Sequence, residues 1–274
     1  MTDFMLRAEA VTKDYVVGRN LFGKPSRVVR AVRDVSLSVA PGSTLALVGE
    51  SGSGKSTLGR CVAGLVRPSS GSIRLAGHDV LQLSGASRMS FRRQVQTIFQ
   101  DPYSSLNPRR RVGDAIMDGM VIHNLYGPEE RRDRMRALLE RVGLQADHAR
   151  RFPHQFSGGQ RQRIAIARAL AVEPRFIVAD EAVSALDVSV KAQVLDLLAD
   201  LQAEHQLTYL FISHDLGVVR HFADRVAIMS AGELVEEGEC DQIFEAPRHE
   251  YTRNLIAAVP RPDPGRRRLR AAPE

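Results

Sequence analysis

The chain has 274 residues, 43% of them hydrophobic and 26% charged, enough for one large domain or a domain with a subdomain and too apolar for a disordered chain. No apolar run approaches the roughly 20 residues that cross a bilayer, and the start Met1-Thr2-Asp3-Phe4 has no signal-peptide pattern, so any membrane role is expected to run through a partner. The net charge of +6 comes from 38 basic against 32 acidic residues, but the arginines are scattered apart from Arg109-Arg110-Arg111 and Arg266-Arg267-Arg268, and aromatics make up only 5%, which argues against a base-stacking surface for nucleic acid.

In chain order, residues 31–48 read as strand, turn, strand: Val35, Leu37 and Val39 alternate with polar residues, Pro41-Gly42 turns, and Leu45-Ala46-Leu47-Val48 is a buried strand. A helix is predicted over residues 55–66, a break over 68–71 and a strand over 72–76. Residues 101–164 lose the strand signals, gain arginines and show helical patterning over 129–141, so they read as a helical insertion. Strand signals return at 175–180, 208–213 and 225–230, with an amphipathic helix at 188–203 between them. Alternating strands and helices predict an α/β fold with a mainly parallel core sheet. One domain is expected over residues 1–260: a core of 1–100 and 165–245, a helical subdomain of 101–164 and an extension of 246–260. A flexible basic tail is expected over 261–274. Cys61 and Cys240 show no metal spacing and read as buried thiols of a reducing compartment.

Gly49, Glu50, Ser51, Gly52, Ser53, Gly54, Lys55, Ser56 and Thr57 match the G-x-x-x-x-G-K-S/T pattern between a strand and a helix. Glycines let backbone N–H groups turn toward one anion, and the helix N-terminus adds its positive dipole end. Lys55 can neutralise β- and γ-phosphates, the Ser56 hydroxyl can ligate Mg²⁺, and Thr57 adds a phosphate contact. Downstream, an apolar run ends in Asp180-Glu181. At a strand end beside the phosphate-loop strand, Asp180 would hold Mg²⁺ through water. Glu181 would accept a proton from an attacking water or orient it.

Five further features follow. Phe156-Ser157-Gly158-Gly159-Gln160 is similar to the signature motif of ATP-binding cassette (ABC) ATPases. Ser184-Ala185-Leu186-Asp187 resembles their D-loop, His214 their switch histidine, Gln100 their Q-loop glutamine and Tyr15 their adenine-stacking aromatic. The resemblance spans nearly the whole chain and implies a P-loop NTPase fold with an antiparallel β subdomain and a helical subdomain. It also implies ATP and Mg²⁺ as ligands. Ser56, Gln100 and Asp180 would serve the metal, and Gln100, Glu181 and His214 the reaction. Ser157, Gly158, Gly159 and Gln160, followed by a helix over 161–171, would close the ATP site of a partner cassette in a head-to-tail dimer.

The run from Gln100 through Pro102 to Pro108, the long stretch between Tyr15 and Val32, and the end Ala246-Pro247-Arg248-His249-Glu250-Tyr251-Thr252-Arg253 narrow the resemblance to ATPase subunits of dipeptide and oligopeptide importers. Phe156 stands where the family has Leu, Ala182 where these importers often have Pro, and the tail lacks the cysteine cluster of one subunit type. The resemblance therefore implies the cluster-free type, paired with a paralogous cassette and two permease subunits. It places the chain on the cytoplasmic face of the inner membrane and leaves a solute-binding protein as an indirect partner, with no nucleic acid. Di- or oligopeptides are the expected cargo; nickel, opines and other small solutes stay open. A soluble cassette of translation or repair would carry two cassettes or a coiled-coil insertion. A regulatory, non-hydrolysing cassette conflicts with intact Glu181 and His214. A GTPase conflicts with the lack of an Asn-Lys-x-Asp run.

Overall fold

The computed structural model describes residues 4–19, 25–101 and 105–258. The expected basic tail, together with Val259, Pro260, Pro102, Tyr103 and Ser104, lies outside the described residues.

Two sheets share the core. Strands β1 (Leu6–Arg19), β2 (Pro25–Val39), β4 (Ser70–Leu75) and β5 (His78–Asp79) form an antiparallel sheet in the order β2-β1-β4-β5. Strands β3 (Thr44–Val48), β6 (Val95–Ile98), β7 (Phe176–Asp180), β8 (Thr208–Ser213), β9 (Arg225–Ser230) and β10 (Glu233–Glu239) form the second, ordered β10-β9-β3-β8-β7-β6. All of its neighbours run parallel except β10, which returns antiparallel on β9.

The central strands are buried on both faces, as parallel strands sandwiched between layers must be. Ala46 and Val48 of β3, Ile177 and Ala179 of β7, and Tyr209 and Phe211 of β8 face a cluster shared with the helical insertion. Their neighbours Leu45, Leu47, Phe176, Val178, Leu210 and Ile212 face a second cluster, shared with the antiparallel sheet and with α1 (Lys55–Val62) and α2 (Gly85–Gln94). The period-2 alternation of side chains therefore builds two cores on one sheet.

The insertion is helical, as expected. It contains α3 (Val112–Ile122) and α4 (Pro128–Arg141), and α5 (Gly158–Leu170) leads back to the core. Beyond it lie α6 (Val188–His205), α7 (Leu216–Phe222), α8 (Cys240–Glu245) and α9 (Glu250–Ala257). In α6, Val194, Leu197, Leu198 and Leu201 form the buried stripe, at the spacing of one helix face.

Two boundaries beside the candidate site differ from expectation. Helix α1 stops at Val62 rather than Val66, because Gly64 adopts φ 67 and ends the turn. Helix α5 begins at Gly158 rather than Arg161, so Gly158, Gly159 and Gln160 are its first turn instead of a loop before it. Both cysteines are buried free thiols, and burial pushes the Cys61 thiol up to about 11.

Candidate nucleotide site

The phosphate loop leaves the carboxyl end of β3 and enters α1. Its shape depends on missing side chains. Gly54 has φ 103, and a Cβ there would lie 2.2 Å from the Ala31 carbonyl oxygen; a Cβ on Gly49 would lie 2.0 Å from the Met229 carbonyl oxygen. The loop is also tied to the β9–β10 turn, since Gly232 N donates to Ser53 O at 3.0 Å while Arg33 N donates to Gly232 O at 2.7 Å. Lys55 is 4% exposed, and its Nζ donates to Gly49 O and Glu50 O at 2.7 Å and to Ser53 Oγ at 3.3 Å. Burial holds its pKa below the ordinary lysine value, opposed by the nearby Glu181, Asp180 and Glu50 carboxylates.

Asp180 ends β7, one strand from β8 and two from β3, and is 6% exposed. Ser56 Oγ donates to Asp180 Oδ1 at 2.7 Å, so the hydroxyl and the carboxylate expected to share a metal already meet. Burial raises the Asp180 pKa above the ordinary carboxylate value, and the Ser56 bond partly offsets this. A Ser hydroxyl, a carboxylate and an amide oxygen are hard oxygen donors, which suit Mg²⁺ rather than a softer metal.

Glu181 follows in the left-handed region at φ 50. Its backbone is over-determined: Glu181 N donates to Ile212 O at 3.0 Å, and Glu181 O accepts from Ser184 N at 3.1 Å and Ser184 Oγ at 2.9 Å. Such strain persists only where surrounding bonds hold it, and it clusters at functional sites. The first D-loop residue, Ser184, thus fixes the backbone of the candidate base. Two side chains converge on one oxygen of that base. Gln100 Nε2 donates to Glu181 Oε2 at 2.9 Å, and His214 Nδ1 lies 3.3 Å from the same atom. Gln100 follows β6 and His214 follows β8, the strands on either side of β7.

Tyr15 sits elsewhere, on β1 paired with Val29, 38% exposed, with Lys13 Nζ 5.0 Å from its ring centre. Ser157 caps α5: its Oγ accepts from Gln160 N at 3.3 Å, and Ser157 N donates to Gln160 Oε1 at 3.0 Å. A Cβ on Gly158 would meet nothing within 4 Å, whereas one on Gly159 would lie 2.4 Å from Val190 Cγ1 of α6. Phe156 keeps the role of an apolar anchor, buried with its ring edge-on to His148 at 5.4 Å.

A family model described as ABC transporter matches residues 32–184. The chain belongs to the ABC transporter family. A second model, the oligopeptide/dipeptide transporter C-terminal region, matches residues 235–274. This ABC cassette is 48% identical over 268 residues to the Di/tripeptide transport ATP-binding protein DppF of Pseudomonas aeruginosa, covering 97% of the chain and 83% of that relative. It is 51% identical over 266 residues to the Glutathione import ATP-binding protein GsiA of Salmonella typhimurium, covering 97% of the chain. The chain spans only 43% of the length of that relative. Among solved structures, a dimeric ATP-binding cassette in a post-hydrolysis state bound to ADP and Pi superposes with a TM-score of 0.77 at 30% identity, covering 86% of this chain and 99% of the other. The cbiO1 cassette of Clostridium perfringens, part of the ABC transporter complex cbiONQ, does so at 0.75 and 28%, covering 89% and 92%.

One link within the cassette escaped sequence reasoning. Lys191 Nζ of α6 donates to Asp215 Oδ2 at 2.8 Å, and Asp215 caps α7 immediately after His214. No local pattern marks this pair, because its members are 24 residues apart.

Proposed function

We propose that the chain is the ATP-hydrolysing subunit of a binding-protein-dependent importer for di- or oligopeptides. The observation that carries the ATPase reading is the convergence of Gln100 and His214 on Glu181 Oε2, beside the Ser56–Asp180 pair at the end of the phosphate loop. The phosphate-loop amides, with Lys55, hold the triphosphate. Ser56, Asp180 and Gln100 would hold Mg²⁺, which supplies charge neutralisation at the β- and γ-phosphates. Glu181 accepts the proton of the attacking water, Gln100 and His214 fix its carboxylate, and His214 reaches the γ-phosphate. Tyr15 stacks on adenine. Ser157, Gly158, Gly159 and Gln160 offer a hydroxyl, backbone amides and a helix dipole to the ATP of a second cassette.

The peptide class rests on the match over residues 235–274 and on the DppF relative. A peptide-like substrate such as glutathione is the second reading, favoured by the relatives of that name. The permease would dock on a cleft of about 840 Å³ between the core and the insertion, lined by Leu65, Phe91, Phe99, Ile122 and Arg168. Leu65 and Ile122 in its lining are 57% and 64% exposed, apolar side chains that a partner would cover. Phe99 in this lining precedes Gln100, which would relay γ-phosphate occupancy to the permease.

Phosphate release from Mg·ATP and uptake of a labelled di- or tripeptide by cells carrying the whole transporter test this reading. Glu181→Gln should keep ATP affinity and lose about 10²- to 10⁴-fold in turnover, because an amide takes no proton, and uptake should stop with it. Near-native hydrolysis in that variant would remove Glu181 from the mechanism. Intact peptide uptake without this chain would remove the cargo assignment.

A further inference from the structure

The carboxy-terminal region has no part in the chemistry above, yet it reaches the phosphate loop. Glu236 of β10 accepts from Arg248 N at 2.8 Å and His249 N at 3.0 Å, its two oxygens holding the chain as it enters α9. His249 caps the helix, its Nδ1 accepting from Tyr251 N at 3.1 Å, and Arg253 Nη1 donates back to Arg248 O at 2.8 Å. Thr252 is fully buried, and Tyr251, Leu255 and Ile256 pack against the core. From this anchored turn the Tyr251 hydroxyl accepts from the backbone N–H of Glu50 at 3.1 Å, across 201 residues of sequence.

The bond falls on a telling peptide unit. Its N–H belongs to Glu50 and its carbonyl to Gly49, and that carbonyl accepts from Lys55 Nζ at 2.7 Å. One peptide plane is therefore held at both ends, by Tyr251 on one side and Lys55 on the other. Gly49 has no Cβ to resist rotation of that plane, and Met229 O leaves no room for one. To engage phosphates, Lys55 must release Gly49 O and Glu50 O. The Tyr251 bond uses neither Lys55 nor any carbonyl that Lys55 releases, so the exchange does not by itself break it.

We propose that Tyr251 is a positioning residue of the nucleotide site: its hydroxyl pins the Gly49–Glu50 peptide, so the loop keeps its shape while Lys55 trades loop carbonyls for phosphates. The inference rests on the reading of residues 49–57 as an ATP site, and it makes the peptide-transporter C-terminal region a structural part of that site. Tyr251→Phe keeps the ring and removes only the acceptor. The variant should bind ATP and ADP about two- to tenfold more weakly, the range expected for one neutral hydrogen bond. The KM for ATP should rise by the same factor with kcat at saturating ATP unchanged, and the Glu50 amide should exchange hydrogen faster. A merely structural contact would lower the melting temperature without this split. Unchanged affinity and KM overturn the proposal, as does a fall in kcat at unchanged KM. Lys55→Ala run alongside separates the two levels. If the native chain binds no ATP, the ATP-site reading fails and Tyr251 with it. If the native chain binds ATP, Lys55→Ala does not, and Tyr251→Phe matches native, only the Tyr251 role fails.

Discussion

Asp180 and Lys55 illustrate what single residues give up at this site. Both are buried, and burial disfavours the charged form of each, raising the carboxyl pKa and lowering the ammonium pKa. Each has local partners that lessen the cost, Ser56 Oγ for Asp180 and three loop oxygens for Lys55. The sign of the linkage follows for Asp180. A carboxyl whose folded pKa lies above its unfolded value favours folding below the unfolded pKa and loses that contribution as pH rises through the folded one. At neutral pH the ionised Asp180 therefore weighs against stability. Asp180→Asn keeps an oxygen for Ser56 and cannot ionise. It should raise the melting temperature of the nucleotide-free protein at pH 7, with the gain shrinking as pH falls through the acid range. A melting temperature lowered equally at every pH would show that the carboxylate is a net stabiliser. Turnover should be lost in either case if Asp180 serves the metal.

At the scale of elements, the first turn of α6 joins two motifs far apart in sequence. Val190 packs where a Cβ on Gly159 would sit, and Lys191 is paired with Asp215, next to His214. The signature turn and His214 therefore bear on the same helix. Gly159→Ala places a methyl 2.4 Å from Val190 Cγ1, a contact that forces the Val190 side chain or the packing of α5 on α6 to shift. It should cut ATP turnover by at least tenfold while leaving ATP affinity of the isolated chain unchanged. Adding Val190→Ala removes the clashing carbon and should restore most of the activity, as a steady-state assay of the double variant would show. No rescue would mean that Gly159 matters for its contact with the partner rather than for its packing on α6.

The same scale shows which features could be read in advance. Residues 49–57 were legible because every part of the loop is contiguous, and β8 and β9 were legible because unbroken apolar runs specify buried strands. Strand β1 was not, because register shifts after Ala8, Val11 and Lys13 break its alternation. The role at Glu181 was read from an apolar run ending in two acids, while those at Gln100 and His214 came from family resemblance. Only the fold puts their side chains on one oxygen, since β6, β7 and β8 are neighbours in the sheet but not in sequence. Tyr251 on Glu50 and Lys191 on Asp215 leave no local trace at all, since a pairing over such distances is a property of the packed chain.

For the whole molecule, the proposed composite site would divide the reaction between two cassettes. The phosphate loop, Asp180, Glu181 and His214 gather in one region of the core, while Ser157 to Gln160 open a helix that packs on α3, α4, α6 and β6. Gly158 gives a way to test that division, because a Cβ there would meet nothing within 4 Å. The most direct measurement is the ATP turnover per chain of native protein and of Gly158→Arg, followed as the concentration of this chain, or of an added second cassette, is raised. A composite site predicts a native per-chain rate that climbs with concentration. It also predicts a Gly158→Arg rate that stays at the basal level, although the variant melts normally and binds ATP as tightly as native when dilute. A per-chain rate independent of concentration and unaffected by Gly158→Arg would show that one chain hydrolyses ATP alone, and would contradict the composite site.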